Sequence, residues 1–188
     1  MSVKKRFIPV SEDIVFELGR IAERVGIPIP ELTERILKEI TRAFKYRGDI
    51  LKMLVNVDAV EDLRRLGCVV LPSNVTFEVV DNLDENAFNR VVEELKRSAA
   101  WYGELAKVKR GKDVDEFVRV LSLWLPIANI DVVELGDGRF KVVVSIFSRS
   151  NRLSKIAEVI VRELLKALEY NVIDFESRDG VIVTTLEE

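Results

Sequence analysis

Apolar residues recur at helical spacing in two stretches near the start of the chain. The first stripe predicts a helix that begins after Ser11 and ends at Gly26; it consists of Ile14, Leu18, Ile21, Ala22 and Val25. The second stripe predicts a helix over residues 31–46, closed by Gly48; it consists of Leu32, Ile36, Leu37, Ile40 and Phe44. Residues 4–10 alternate between two faces, which predicts a strand. Residues 1–48, here called the head, are therefore predicted as strand, helix, turn and helix.

In residues 49–188, here called the body, helical and alternating patterns follow one another. The predicted helices cover residues 49–57, 58–66, 84–107, 113–125 and 151–170, and Asp84 and Asp113 are the predicted N-caps of the third and fourth. The predicted strands form three hairpins, over residues 68–80, 130–147 and 172–186, and the second turns at Gly136-Asp137-Gly138. Helices that alternate with antiparallel hairpins are typical of an α+β fold.

The composition excludes many of the common kinds of catalytic site. The chain has 188 residues, a formal net charge of −3, no histidine and one cysteine. Without histidine it cannot form a Ser-His-Asp triad, a His-ligated zinc site or a proximal-His haem site. No convergent acid–base or nucleophile set is visible either, so we expect a protein that is not an enzyme and holds no cofactor or metal. Cys68 lies in a predicted apolar strand, and we expect it to be a buried, inert thiol.

Charge divides the chain into a basic head and an acidic body. The head holds ten Lys or Arg and seven Asp or Glu, whereas the body holds 19 and 25. This asymmetry favours two units with different partners. The apolar runs are too short to cross a membrane and no signal peptide is visible, so we expect a cytoplasmic protein without membrane contact. The high charge and abundant Val and Ile are typical of a thermophile's protein.

The head resembles the ribbon-helix-helix family of DNA-binding proteins over residues 3–46. The resemblance rests on three segments: Ile8-x-Val10-Ser11-Glu12, Leu18-x-x-Ile21-Ala22-x-x-x-Gly26-Ile27, and the Leu32…Ile36…Ile40 register. One strand and two short helices cannot bury their apolar faces alone. The resemblance therefore implies an obligate homodimer whose paired strands lie in the DNA major groove. Association of such dimers into a higher oligomer stays open.

The resemblance also implies which residues contact DNA. Lys4, Lys5 and Arg6 would contact phosphates, and Lys5 and Phe7 would reach the groove. Two features depart from the family pattern: Pro9 offers no backbone donor, and Ile29-Pro30 stands where a polar cap usually anchors a phosphate. A dimerisation module that does not bind DNA is therefore an alternative.

Part of the body is similar to the vinyl-4-reductase-type ligand-binding domain, over residues 101–186. The similarity rests on three runs, Tyr102-Gly103-Glu104-Leu105-Ala106, Asp115-Glu116-Phe117 and Leu164-Leu165-Lys166-Ala167-Leu168, together with the strand pair between the last two. It implies an apolar pocket for a small hydrophobic ligand between helix and sheet, without haem because histidine is absent. A packed body that serves only oligomerisation is the alternative.

A polar run at the start of the last helix indicates a second ligand site. Ser148, Arg149, Ser150 and Arg152 place hydroxyls and guanidiniums where free backbone N–H groups are expected, which suits a carboxylate or phosphate. Helix capping by Ser150 or Asn151 explains the same residue types.

The pattern as a whole predicts a dimeric transcription regulator with a DNA-binding head and an α+β sensor or oligomerisation body. Two other functions stay open. One is an adaptor whose head only dimerises, and the other is a small-molecule-binding protein.

Overall fold

The computed structural model describes residues 8–45, 57–146 and 150–187. In these ranges the chain forms seven helices and one four-stranded antiparallel sheet, so the predicted α+β class is confirmed. The chain divides into two compact units, residues 1–55 and 56–188. The predicted boundary between residues 48 and 49 lies outside the described residues.

The first unit contains helices α1 (Glu12–Val25) and α2 (Ile29–Phe44), as predicted for the head. Gly26 ends α1 in the left-handed conformation, with φ of 69°, and its backbone N–H donates to the carbonyl oxygens of Ala22 and Glu23. Residues 8–10 of the predicted strand belong to no strand, and the remainder of that strand lies outside the described residues. A strand needs a neighbour to pair with, and none of the strands that the structure describes pairs with residues 8–10.

The described part of the second unit contains five helices. They are α3 (Val57–Arg65), α4 (Ser73–Asp81), α5 (Glu85–Arg110), α6 (Val114–Trp124) and α7 (Asn151–Ala167). The predicted caps Asp84 and Asp113 are confirmed, since their carboxylates accept from backbone N–H groups three residues ahead at 2.8 and 2.7 Å. Ser150 caps α7 in the same way at 3.2 Å.

The sheet consists of β1 (Ala128–Gly136), β2 (Arg139–Ile146), β3 (Asn171–Arg178) and β4 (Val181–Glu187), in the order β1-β2-β4-β3. Two of the three predicted hairpins, β1–β2 and β3–β4, are thereby confirmed. Helices α5, α6 and α7 share one core with the inner side of the sheet; its fully buried members include Tyr102, Phe117, Leu121, Val144, Leu164 and Leu186.

A glycine sets how closely α5 and α7 approach each other. A Cβ at Gly103 would lie 2.5 Å from the Cβ of Ala167, well inside the distance that two carbon atoms tolerate. The close contact of these two helices therefore depends on small residues at both positions.

The predicted hairpin over residues 68–80 is wrong. Residues 68–72 belong to no helix or strand, and residues 73–81 form α4. Pro72 begins this helix, because its carbonyl oxygen accepts from the N–H groups of Val75 and Thr76 at 3.0 and 3.1 Å. Helical spacing also lets Val80 enter a small core with Phe77 and Phe88. Packing thus overrides the strand propensity of the β-branched residues.

Cys68 is exposed, so the expectation of a buried thiol is also wrong. The strand that was to bury it does not form. Its partial contact with the protein nevertheless raises the pKa of the thiol through desolvation.

Candidate functional site

The head has an apolar surface that its own two helices do not cover. Of its described apolar residues, only Ala22 and Leu32 are buried. Ten large apolar side chains are exposed: Ile8, Val10, Ile14, Val15, Phe16, Val25, Ile29, Ile36, Leu37 and Phe44. Most of them lie on the apolar stripes of the two helices, whereas Phe16 lies on the opposite side of α1. Exposed apolar stripes mark interaction sites in soluble proteins.

The geometry of the helix pair explains this exposure. The two helices meet close to their connecting turn, where a Cβ at Gly19 would lie 3.6 Å from the Cδ1 atom of Ile29. Ala22, Ile27 and Pro28 line the same shallow region. Two short helices form a single layer, and a single layer cannot enclose an apolar core.

A basic stripe runs along α2 on the side opposite its apolar face. It consists of Arg35, Lys38, Arg42 and Lys45, which recur at intervals of three and four residues, and all four are exposed. Glu31 and Glu34, also exposed, lie on the same side near the start of the helix. Sequence reasoning assigned phosphate contacts to residues 4–6 and missed this stripe. The periodicity of charge along the helix was the signal that could have revealed it.

The predicted DNA-contacting residues Lys4, Lys5, Arg6 and Phe7 lie outside the described residues. The other predicted DNA contact of the family, the N-terminus of α2, is described. Pro28 occupies its N-cap position, where no side-chain cap hydrogen bond forms among the described residues. The Thr33 hydroxyl donates back to the Ile29 carbonyl oxygen at 2.8 Å. This helix terminus therefore offers backbone groups alone to a phosphate.

The predicted anion site in the body is only partly described, since Ser148 and Arg149 lie outside the described residues. Its other two members contact the end of α4. The Ser150 hydroxyl donates to the carboxylate of Asp81. The Arg152 guanidinium donates to the carbonyl oxygens of Val80 and Asp81 at 3.1 and 3.3 Å and also to that of Leu83.

Two further contacts complete the surroundings of Arg152. Its guanidinium pairs with the Glu85 carboxylate at 2.6 Å and lies 5.0 Å from the centre of the Phe88 ring. The donors that suggested an anion site thus bind acceptors of the protein. They join α7 to the C-terminal end of α4, where the negative end of the helix dipole favours a cation. Sequence spacing could not reveal these acceptors, because they lie about seventy residues earlier in the chain.

A cluster of charged side chains joins α3, α5 and α6 around Arg110. Arg110 pairs with Asp58 at 2.9 Å, with Asp62 at 3.2 Å and with Glu116 at 2.7 Å. The Lys109 ammonium contacts Asp62 at 2.5 Å, and Arg119 pairs with Glu116. Asp62 and Glu116 are 2% and 4% exposed, so both carboxylates are held by cations away from water.

Burial and charge shift the pKa values of Asp62 and Tyr102 in this cluster. Burial acts to raise the pKa of Asp62, but hydrogen bonds and charge from Lys109 and Arg110 outweigh it and hold the pKa below its usual value. Desolvation raises the pKa of Tyr102, whose hydroxyl accepts from Arg110 at 3.3 Å, to about 12. Such a tyrosine stays protonated and neutral at physiological pH.

Two comparisons with known proteins identify no relative. A scan against protein-family models finds no match, and a search of curated proteins also finds none. Among the described residues, no helix is long and apolar enough to cross a membrane.

Proposed function

We propose that the protein is a dimeric DNA-binding transcription regulator. Its head would be a ribbon-helix-helix module, and its body an α+β sensor or oligomerisation domain. The observation that carries the proposal is the exposed apolar surface of the head, where ten large side chains are uncovered and two of the described apolar residues are buried. A second head would supply the layer that this surface lacks and would bring two N-terminal basic segments together.

Charge supports DNA as the partner of the head. Residues 1–48 carry an excess of three positive charges, whereas the remainder of the chain is acidic. In a dimer this excess doubles, and the exposed basic stripe of α2 adds to Lys4, Lys5 and Arg6. Clustered cations on one unit are the electrostatic footprint of nucleic-acid binding.

The test measures binding to random-sequence duplex DNA over a salt series, with the mass of the protein followed by light scattering. The two copies of Lys4, Lys5 and Arg6 would make six phosphate contacts. With six contacts, raising the salt from 50 to 200 mM would lower the affinity for DNA by about a thousandfold. Lys5→Ala with Phe7→Ala should weaken binding without changing the dimer mass. A folded dimer that shows no salt-dependent binding would contradict the proposal.

An adaptor whose head only dimerises is the second candidate function, and the start of α2 favours it. Pro28 replaces a polar N-cap and Pro30 removes a backbone donor from the first turn, so a phosphate anchor is weakened there. For an adaptor, the Lys5→Ala with Phe7→Ala variant would keep both its dimer and its cellular role. Loss of that role in a variant that still dimerises would exclude the adaptor.

A further inference from the structure

Helix α3 carries the pattern of a helix that docks into a groove. Ala59, Asp62, Leu63 and Leu66 recur at the i, i+3, i+4 and i+7 spacing of such helices. Ala59 and Asp62 are buried, and Leu63 and Leu66 pack against the main core at partial exposure. The surface that receives them is formed by α5 and α6.

The charges of the helix and its groove are complementary. Asp58 and Asp62 of α3 contact Lys109 and Arg110 at the end of α5. On the far side, Arg110 is balanced by Glu116 of α6, which also pairs with Arg119. The groove therefore selects an acidic helix with small or apolar residues at its remaining anchor positions.

The segment that follows α3 is exposed along its whole length. Residues 67–72 belong to no helix or strand, and every one of them is exposed. Val69 and Leu71 are open to solvent and Val70 is 99% exposed. The α3 helix can thus leave its groove without removing this segment from any packed position.

The same segment has the composition of a strand but pairs with none of the described strands. Cys68, Val69, Val70 and Leu71 form a run of strand-favouring residues, which is why the sequence predicts a strand there. Three consecutive exposed apolar residues are a liability in a soluble protein unless something covers them. An identical segment, running antiparallel, would satisfy both the backbone groups and the side chains.

We propose that two copies of the chain exchange α3, so that α3 of each copy docks into the α5–α6 groove of the other. Residues 68–71 of the two copies then pair as antiparallel strands between the exchanged helices. Every contact at Arg110 is retained, because the exchanged helix is chemically identical to the one it replaces. The proposal concerns the body and does not require the head to bind DNA.

The test uses cross-linking between two single-cysteine chains. In a Cys68→Ser background, one chain carries Asp58→Cys on α3 and the other carries Lys109→Cys on the groove. The two chains are unfolded, mixed, refolded together and treated with a short bis-maleimide. Exchange predicts a linked product that contains one chain of each kind. Its yield should be several times the yield of linked product from either chain refolded by itself. A chain with both cysteines is the control that the two positions come within reach of the reagent.

Native mass spectrometry of the mixture separates this proposal from dimerisation by the head. Mixed dimers without the linked product would overturn exchange and leave the head dimer standing. Monomers alone would overturn both. A linked product that persists when Ile36→Asp is added to both chains would support exchange independently of the head.

A second variant tests the pairing of the exposed segment. Val70→Lys should lower the yield of the linked product several-fold, although the free energy of unfolding of the isolated chain should not change. Val79→Lys, at an exposed position of α4, is the matched control and should leave the yield unchanged. An equal yield with Val70→Lys would overturn the pairing of residues 68–71.

Discussion

Individual side chains divide into those that hold this molecule together and those that remain free for partners. Arg110 and Arg152 are the clearest members of the first group, because each joins several segments through three or more polar contacts. The basic residues of α2 belong to the second group, since all are exposed. The same residue type thus has opposite roles, which are set by burial rather than by sequence.

Replacing Asp62 with asparagine should lower the free energy of unfolding more than the same change at Asp58. Asp62 is almost fully buried between two cations, whereas Asp58 is 54% exposed, although both contact Arg110. We expect Asp62→Asn to lower the free energy of unfolding by about 2 kcal/mol and Asp58→Asn by less than about 1 kcal/mol. Urea denaturation at neutral pH measures both. Equal losses would show that burial does not set the strength of this cluster.

The lowered pKa of Asp62 also predicts how the stability of the fold changes at acid pH. A carboxyl group whose folded-state pKa lies below its unfolded value stabilises the fold above the unfolded pKa, near 4. That contribution disappears as the pH falls through the folded-state value. The stability of the natural chain should therefore fall more steeply below pH 4 than that of Asp62→Asn. Parallel curves for the two proteins would contradict the assignment.

At the level of helices and strands, close approach matters as much as amphipathic pattern. Gly103 lies on the buried side of α5, against α7, where alanine would be the better helix former in isolation. The contact with Ala167 reverses this preference, because the added methyl group has no space.

Gly103→Ala should therefore destabilise the body by about 1–3 kcal/mol in spite of its higher helix propensity. Adding Ala167→Gly moves the methyl group from α7 to α5 and should restore part of the loss. Chemical denaturation of the two single variants and the double variant measures this coupling. A Gly103→Ala protein as stable as the natural chain would show that the helices can move apart without cost.

The sequence predicted elements well wherever local signals agreed with each other. Asp84, Asp113 and the Gly136-Asp137-Gly138 turn each marked a boundary that the structure confirms. Residues 73–81 were misassigned because their β-branched side chains favour a strand, while packing against Phe88 requires a helix. The Arg110 cluster could not be predicted, since Asp58 and Asp62 lie about fifty residues before their cations.

On the scale of the complete chain, apolar burial is distributed very unevenly. The body encloses a continuous core, whereas the described helices of the head bury only Ala22 and Leu32. Since stability follows the apolar area removed from water, we expect the body to fold alone and the proposed head dimer to stabilise the head.

Unfolding of the head should therefore depend on protein concentration. Association stabilises the folded state by about 2.7 kcal/mol when the partner is at a hundred times its dissociation constant. We expect the helical signal of the head to melt at higher temperature as the protein is concentrated. Ile36→Asp should abolish this shift, whereas Thr41→Asp, at an exposed polar position of the same helix, should preserve it. A shift that survives Ile36→Asp would place the association elsewhere in the chain.

The contact between Gly103 and Ala167 has a consequence for recognising distant relatives of this body. Most core positions accept any side chain of similar volume, so their identity drifts as sequences diverge. A position that admits no side chain at all cannot drift in that way, and its neighbour across the helix pair must stay small as well. Small residues at both positions, one on α5 and one on α7, would thus persist after overall sequence similarity is lost. Such a pair would mark shared ancestry where composition cannot.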